Sequence, residues 1–129
     1  MTKLKQRFEN LSRAIHSLSV AVSTPPVEER DYAGIIQNFE FSYELFWKTL
    51  KLVLESNGVS APFPRIAFEE AFQRNMISGN EVWKEMMEAR NQTVHTYDPA
   101  LAHALYPLIK DKFLPELLKS LDLLKPYIP

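Results

Sequence analysis

Two side chains that can handle a phosphate, Arg90 and His95, stand five residues apart near the end of one amphipathic stretch. Asn91 and Tyr97 accompany them in Arg90-Asn91-Gln92-Thr93-Val94-His95-Thr96-Tyr97. An arginine fork grips phosphate oxygens in pairs and takes up the charge that grows on a phosphorane. An imidazole moves a proton to or from a ribose 2′-hydroxyl or a leaving oxygen near neutral pH. The pair is therefore a donor set for phosphodiester binding or for cleavage without a metal. At about 100° per residue, Arg90 falls in the middle of a stripe formed by Trp83, Met86, Met87 and Val94. A permanent charge aimed at apolar surroundings demands a partner. Glu40 and Glu44 are the partners expected. With Lys48 they succeed one another at i, i+4 and i+8 on an earlier helix, beside its core stripe. Asn91 and His95, four apart, share a face next to Arg90, and Tyr97 is expected back on the Arg90 side.

Other chemistries lack their parts. The 129 residues include no cysteine, so disulfides, thiolate catalysis and cysteine-ligated metals are excluded. No histidine follows a glutamate by three residues, and the four aspartates form no D-x-D, so neither a metal nor a cofactor is expected. Three glycines cannot build a phosphate-cradling loop. Fifteen basic against sixteen acidic residues leave a net charge of −1, so no long-range field gathers nucleic acid, and any contact with it must be local. The apolar runs are too short for a bilayer, and Met1 to Asn10 has no apolar segment of a signal peptide. A soluble cytoplasmic protein without membrane contact is expected. Aromatics at 12% exceed what a small core needs and point to a contact surface.

The elements that must position these residues are helical. Leu4, Phe8, Leu11, Ile15, Leu18 and Val22 alternate spacings of four and three, the stripe of a bundle helix. Ser23-Thr24-Pro25-Pro26 ends it. A second helix is predicted from about Glu29 to Ser56, with Phe39, Tyr43, Phe46 and Leu50 among its core residues. It carries a smaller apolar group, Phe41, Leu45 and Leu52, assignable to intrachain packing or to a dimer. Asn57-Gly58 caps it. A short helix from Pro64 to about Asn75 turns Phe68, Ala71 and Phe72 inward. Ser78-Gly79-Asn80-Glu81 has capping-box spacing and opens the helix bearing Arg90. Asp98-Pro99 opens the last helix, with Leu105, Leu108, Phe113 and Leu117 inward and Pro107 and Pro115 kinking or dividing it. Residues 125–129 are expected to form a non-helical tail. The fold class is all-α: one domain over residues 1–129, an up-and-down antiparallel four-helix bundle with an additional short helix.

Phe39-Glu40-Phe41-Ser42-Tyr43-Glu44-Leu45-Phe46-Trp47-Lys48-Thr49-Leu50 resembles the signature of the nucleotidyltransferase substrate-binding protein family, within the HEPN superfamily. Arg90 through Tyr97 resembles its Arg-x4-His-x-Tyr motif, and the likeness covers about residues 4–124. The resemblance implies a helical bundle similar to the substrate-binding half of kanamycin nucleotidyltransferase. It implies a minimal nucleotidyltransferase as partner, which holds the catalytic carboxylates this chain lacks. It also implies a homodimer in which two motifs meet as a metal-independent ribonuclease, in a toxin–antitoxin arrangement. Carried over, Arg90 and His95 would be the cleavage pair and Asn91 a positioning group. Tyr97 would be the residue the transferase adenylylates. Two other readings stand beside this one: a non-catalytic module that binds a nucleotide, and a helical interaction domain whose Arg90 network is structural.

Overall fold

The sequence periodicities become helices α1 (Lys3–Val22), α2 (Glu29–Ser56), α3 (Pro64–Gln73), α4 (Asn80–Gln92), α5 (Pro99–Leu108) and α6 (Leu114–Leu124). The computed structural model describes residues 2–129, and no strand occurs among them. A π turn at Ile109–Phe113 joins α5 to α6, so they run as one rod. That rod with α1, α2 and α4 makes the expected four-helix bundle, and α3 is the additional short helix. α2 is the central member: it packs on α1, α3, α4 and α5, while α6 closes against α1.

Both apolar stripes are buried as read. Leu11, Ile15 and Leu18 of α1 are buried with Phe39, Phe46 and Leu50 of α2 in one core. Much of the aromatic content is spent there. Trp83 of α4 lies 4.7 Å from the Phe46 ring and 4.8 Å from Phe68, while Phe39 stacks on Phe113 at 5.4 Å. Such ring pairs add to the area they bury and lock α2, α3, α4 and the rod together. The remaining surplus is on the surface, at Phe41, Phe63, Phe72, Tyr97 and Tyr127. Of the second apolar group on α2, Leu45 packs partly on the core and Leu52 is half-buried, while Phe41 stays 55% exposed.

The helix ends follow backbone chemistry. Gly58, at φ +79, closes α2 with bonds from Gly58 N–H to the Glu55 carbonyl and from Val59 N–H to the Leu54 carbonyl. Asn75, at φ +58, closes α3 by the same pattern, as asparagine tolerates the left-handed region. Asp31 accepts from the N–H groups of Val27 and Glu28 at 3.0 and 2.9 Å at the start of α2. Those bonds hold its carboxyl below the ordinary value.

Four local expectations are overturned. The Ser78–Glu81 capping box does not form: the cap of α4 is Gly79 in left-handed backbone, without a side-chain bond. The Ser78 hydroxyl instead donates to the buried Glu116 carboxylate at 2.7 Å, and its N–H donates to Ser120 Oγ at 3.1 Å. Leu108 is 40% exposed and Ile109 is buried in its place. Ile109 follows the buried Leu105 by four residues, an ordinary helical step, and from there a π turn, in which Leu114 N–H bonds the Ile109 carbonyl, adds a residue before α6. Pro115 explains that turn, because it brings no N–H and its ring crowds the preceding carbonyls. Phe72 turns out rather than in, on the solvent side of a helix whose inner face Ala67, Phe68 and Ala71 already fill. The C-terminal residues 125–127 continue as a 3-10 turn, not as an extended tail.

Candidate functional site

Arg90 sits in the last turn of α4 and leans across to α2. Its Nη1 lies 3.2 Å from Glu40 Oε2, and its Nε lies 3.3 Å from Glu44 Oε1. The four-residue spacing of the two glutamates presents one carboxylate to each edge of the guanidinium. Thr93 completes the cluster. Its hydroxyl donates to Glu40 Oε2 at 2.9 Å and accepts from Arg90 Nη1 at 2.9 Å. Trp47 fixes the other carboxylate, its Nε1 donating to Glu44 Oε2 at 3.1 Å. The Arg90 side chain keeps 27% of its exposure, and Nη2 has no protein partner among the described residues. No fully buried side-chain nitrogen or oxygen lacks a bond there, so Nη2 opens to solvent. Arg90 lines a cleft of about 420 Å³ together with Tyr43, Phe63, Asn91 and Val94. Burial, with Glu44 adding and Arg90 opposing, pushes the Tyr43 hydroxyl far above the ordinary phenol range, so it stays protonated.

After Gln92 the helix tightens into a 3-10 turn at Thr93–His95. At three residues per turn the following side chains lose the phase of an α-helix. Thr93 goes in, and Val94, expected on the core stripe, is 66% exposed. Tyr97 does not return to Arg90. It is 81% exposed, with its hydroxyl 3.5 Å from His95 Nδ1 and the two rings edge to face at 5.9 Å. His95 is exposed and opens onto a second, larger cavity between α3 and α4, which Asn91 also lines. Asn91, with Arg65 and Met87, lines both the cleft at Arg90 and the cavity at His95. Lys48 is exposed and makes no ion pair among the described residues. Sequence reasoning brought Arg90, Glu40 and Glu44 together correctly. It missed Thr93 and Trp47, each three residues along the helix from the group it serves. His103 is exposed, pairs with Glu29 at 2.9 Å and rests on the Tyr32 ring at 4.2 Å, pinning α5 to the start of α2. No group of three or more metal-ligating side chains occurs among the described residues.

A helical bundle of this kind, without strands among the described residues, has the fold described for a nucleotidyltransferase substrate-binding domain. The chain belongs to that family: residues 6–126 match the profile described as nucleotidyltransferase substrate binding protein like. A Haemophilus influenzae structure, described as revealing the fold of a substrate-binding domain of a nucleotidyltransferase, is 32% identical. It superposes with a TM-score of 0.69, covering 95% of this chain and 96% of the other. A Thermus thermophilus crystal structure shares the fold at a TM-score of 0.74 and 24% identity, over 90% of this chain and 96% of that one. Among curated proteins, a Haemophilus influenzae protein named probable ribonuclease HepT is 35% identical over 91 residues. The match spans 66% of this chain and 62% of that relative's length. No helix among the described residues is long and apolar enough to cross a membrane.

Proposed function

We propose that this chain is the substrate-binding partner subunit of a two-component minimal nucleotidyltransferase, and that it is itself a metal-independent endoribonuclease acting as a homodimer in the cytoplasm. The observation that carries the nuclease reading is Arg90. Two carboxylates fix its orientation while Nη2 keeps no protein partner among the described residues and the residue lines an open cleft. A guanidinium held this way needs no reorganisation to receive a phosphate oxygen. His95 closes the 3-10 turn that follows and is exposed, free to serve as acid or base. In the reaction the ribose 2′-hydroxyl gives its proton to an imidazole and attacks phosphorus. The bond from phosphorus to the 5′-oxygen breaks, and that oxygen takes a proton from a second imidazole. The products are a 2′,3′-cyclic phosphate and a 5′-hydroxyl. Each chain brings one such histidine, so two motifs meeting supply both proton-transfer groups. The exposed Tyr97 hydroxyl beside His95 suits modification by the transferase. An adenylyl group there would cover the imidazole, the logic of an antitoxin.

The test is cleavage of single-stranded RNA by pure protein in the presence of a chelator. Cyclic-phosphate ends are expected, with the rate falling about 100-fold or more in His95→Ala and in Arg90→Ala, the scale of a lost acid–base or charge-stabilising group. Undiminished cleavage in both variants would remove the catalytic assignment. A second reading has its own observation. Glu40 and Glu44 together outweigh the one charge of Arg90, as in a self-contained brace between α2 and α4. No turnover, together with clear destabilisation by Arg90→Ala, decides for that structural role.

A further inference from the structure

The cavity at His95 has a volume of about 720 Å³, and the phosphate chemistry leaves most of it unexplained. It runs between α3 and α4. Its apolar lining is the half-buried Met87 with the buried Phe68 and Trp83 behind it. Its size and apolar floor are those of a small-molecule pocket. Its charges cancel in sign: Arg65 and Lys84 stand against Glu69 and Glu88. A balanced rim of this kind does not attract a polyanion as a whole. It suits a flat, uncharged heterocycle with both donors and acceptors along its edge. At one end the cavity reaches Asn91 and His95. Arg65, Met87 and Asn91 line both this cavity and the Arg90 cleft, so the two volumes adjoin.

We propose that the α3–α4 cavity is a nucleobase pocket. It would take the base of a ribonucleotide whose phosphate lies at the Arg65, Asn91 and Arg90 boundary. The base rests on Met87, in the apolar lining that Phe68 and Trp83 back. Glu69 and Glu88 accept from an exocyclic amino group, and Lys84 donates to a ring nitrogen or carbonyl. The phosphate then falls between the guanidinium of one cavity and the imidazole of the other. This division explains why the two groups open onto different volumes, both lined by Asn91. Arg65 becomes a positioning residue, reaching the junction from the first turn of α3. The inference rests on the nucleotide-handling reading of the motif.

The test is calorimetric titration of the full chain with adenosine monophosphate and, separately, with ribose 5-phosphate. Adenosine monophosphate is expected to bind at least tenfold more tightly. Gln92→Trp, at an exposed α4 position lining the cavity, is expected to abolish that advantage by filling the pocket while ribose 5-phosphate binds as before. On the unaltered chain the Met87 methyl resonance should move on addition of the nucleotide. Equal affinity for the two ligands overturns the proposal. So does an advantage that survives Gln92→Trp, or a Met87 methyl that stays in place while resonances on α1 shift. Absent RNA cleavage with the adenosine advantage intact strikes only the nuclease assignment. Cleavage present without that advantage strikes only the pocket.

Discussion

Thr93 carries a disproportionate share of the motif's geometry. Its hydroxyl is simultaneously a donor to Glu40 and an acceptor from Arg90, and it also lies 2.7 Å from the Arg90 carbonyl. Thr93→Val keeps the shape and removes both links, leaving charged groups short of a partner. It is expected to lower stability by about 1–2 kcal/mol, read by urea denaturation, whereas Thr93→Ser should lie close to the unaltered protein. If Thr93→Val is as stable as Thr93→Ser, the hydroxyl is not part of the brace. Arg90 and its two glutamates were legible from sequence because an arginine on an apolar stripe requires compensation, and helical phase put the carboxylates in reach. Thr93 was not, since threonine at that place reads equally well as a solvent-facing residue near a helix end. Val94 misled for the same reason. Its phase is set by the 3-10 turn, and no residue type in the motif announces where an α-helix tightens.

Helix boundaries came through in the sequence wherever punctuation is covalent: the prolines at 25, 26, 64 and 99, and the glycine at 58. They failed where a tertiary contact redirected a side chain. Ser78 had the right spacing for a cap, but Glu116 lies within reach across the bundle and takes its hydroxyl. Glu116 also accepts from Ser120 Oγ at 2.6 Å, so this buried carboxylate ties α6 to the start of α4. Gly79 makes that approach possible. It has φ +64, and a Cβ on it would collide with the Glu116 carboxylate. Gly79→Ala therefore combines left-handed strain with overpacking. A loss of about 2–4 kcal/mol is expected, measured as a lowered denaturation midpoint. Displacing α4 should also misplace Arg90 at the helix's other end. A stability within about 0.5 kcal/mol of the unaltered chain would show that the junction yields freely, against a rigid clamp.

At the scale of the whole molecule, the α2–α4 face is where the fold and the proposed chemistry make a joint demand. The bundle class needs only the 3.6-residue periodicity and is readable from it; how two bundles would meet depends on exposed side chains, which periodicity does not single out. The structure now separates those that were absorbed from those that were not. Leu45 is partly taken into the core, whereas Phe41, Val94 and Tyr97 remain exposed. Phe41 adjoins Glu40 on α2, and Val94 and Tyr97 flank His95 after α4, so these apolar groups neighbour the motif in sequence on both elements. A two-fold interface through this face would cover self-complementary apolar surface and set two motifs side by side. Sedimentation equilibrium at micromolar concentration should thus give twice the mass of the single chain, with Phe41→Glu and Val94→Glu returning it to a monomer that remains helical by circular dichroism. RNA cleavage should fall in step with the dimer fraction, because neither bundle alone holds a second imidazole at its motif. A chain that sediments as a monomer, or a monomeric variant that cleaves RNA at the full rate, would mean that one Arg90 and one His95 suffice, and the shared site would have to be abandoned.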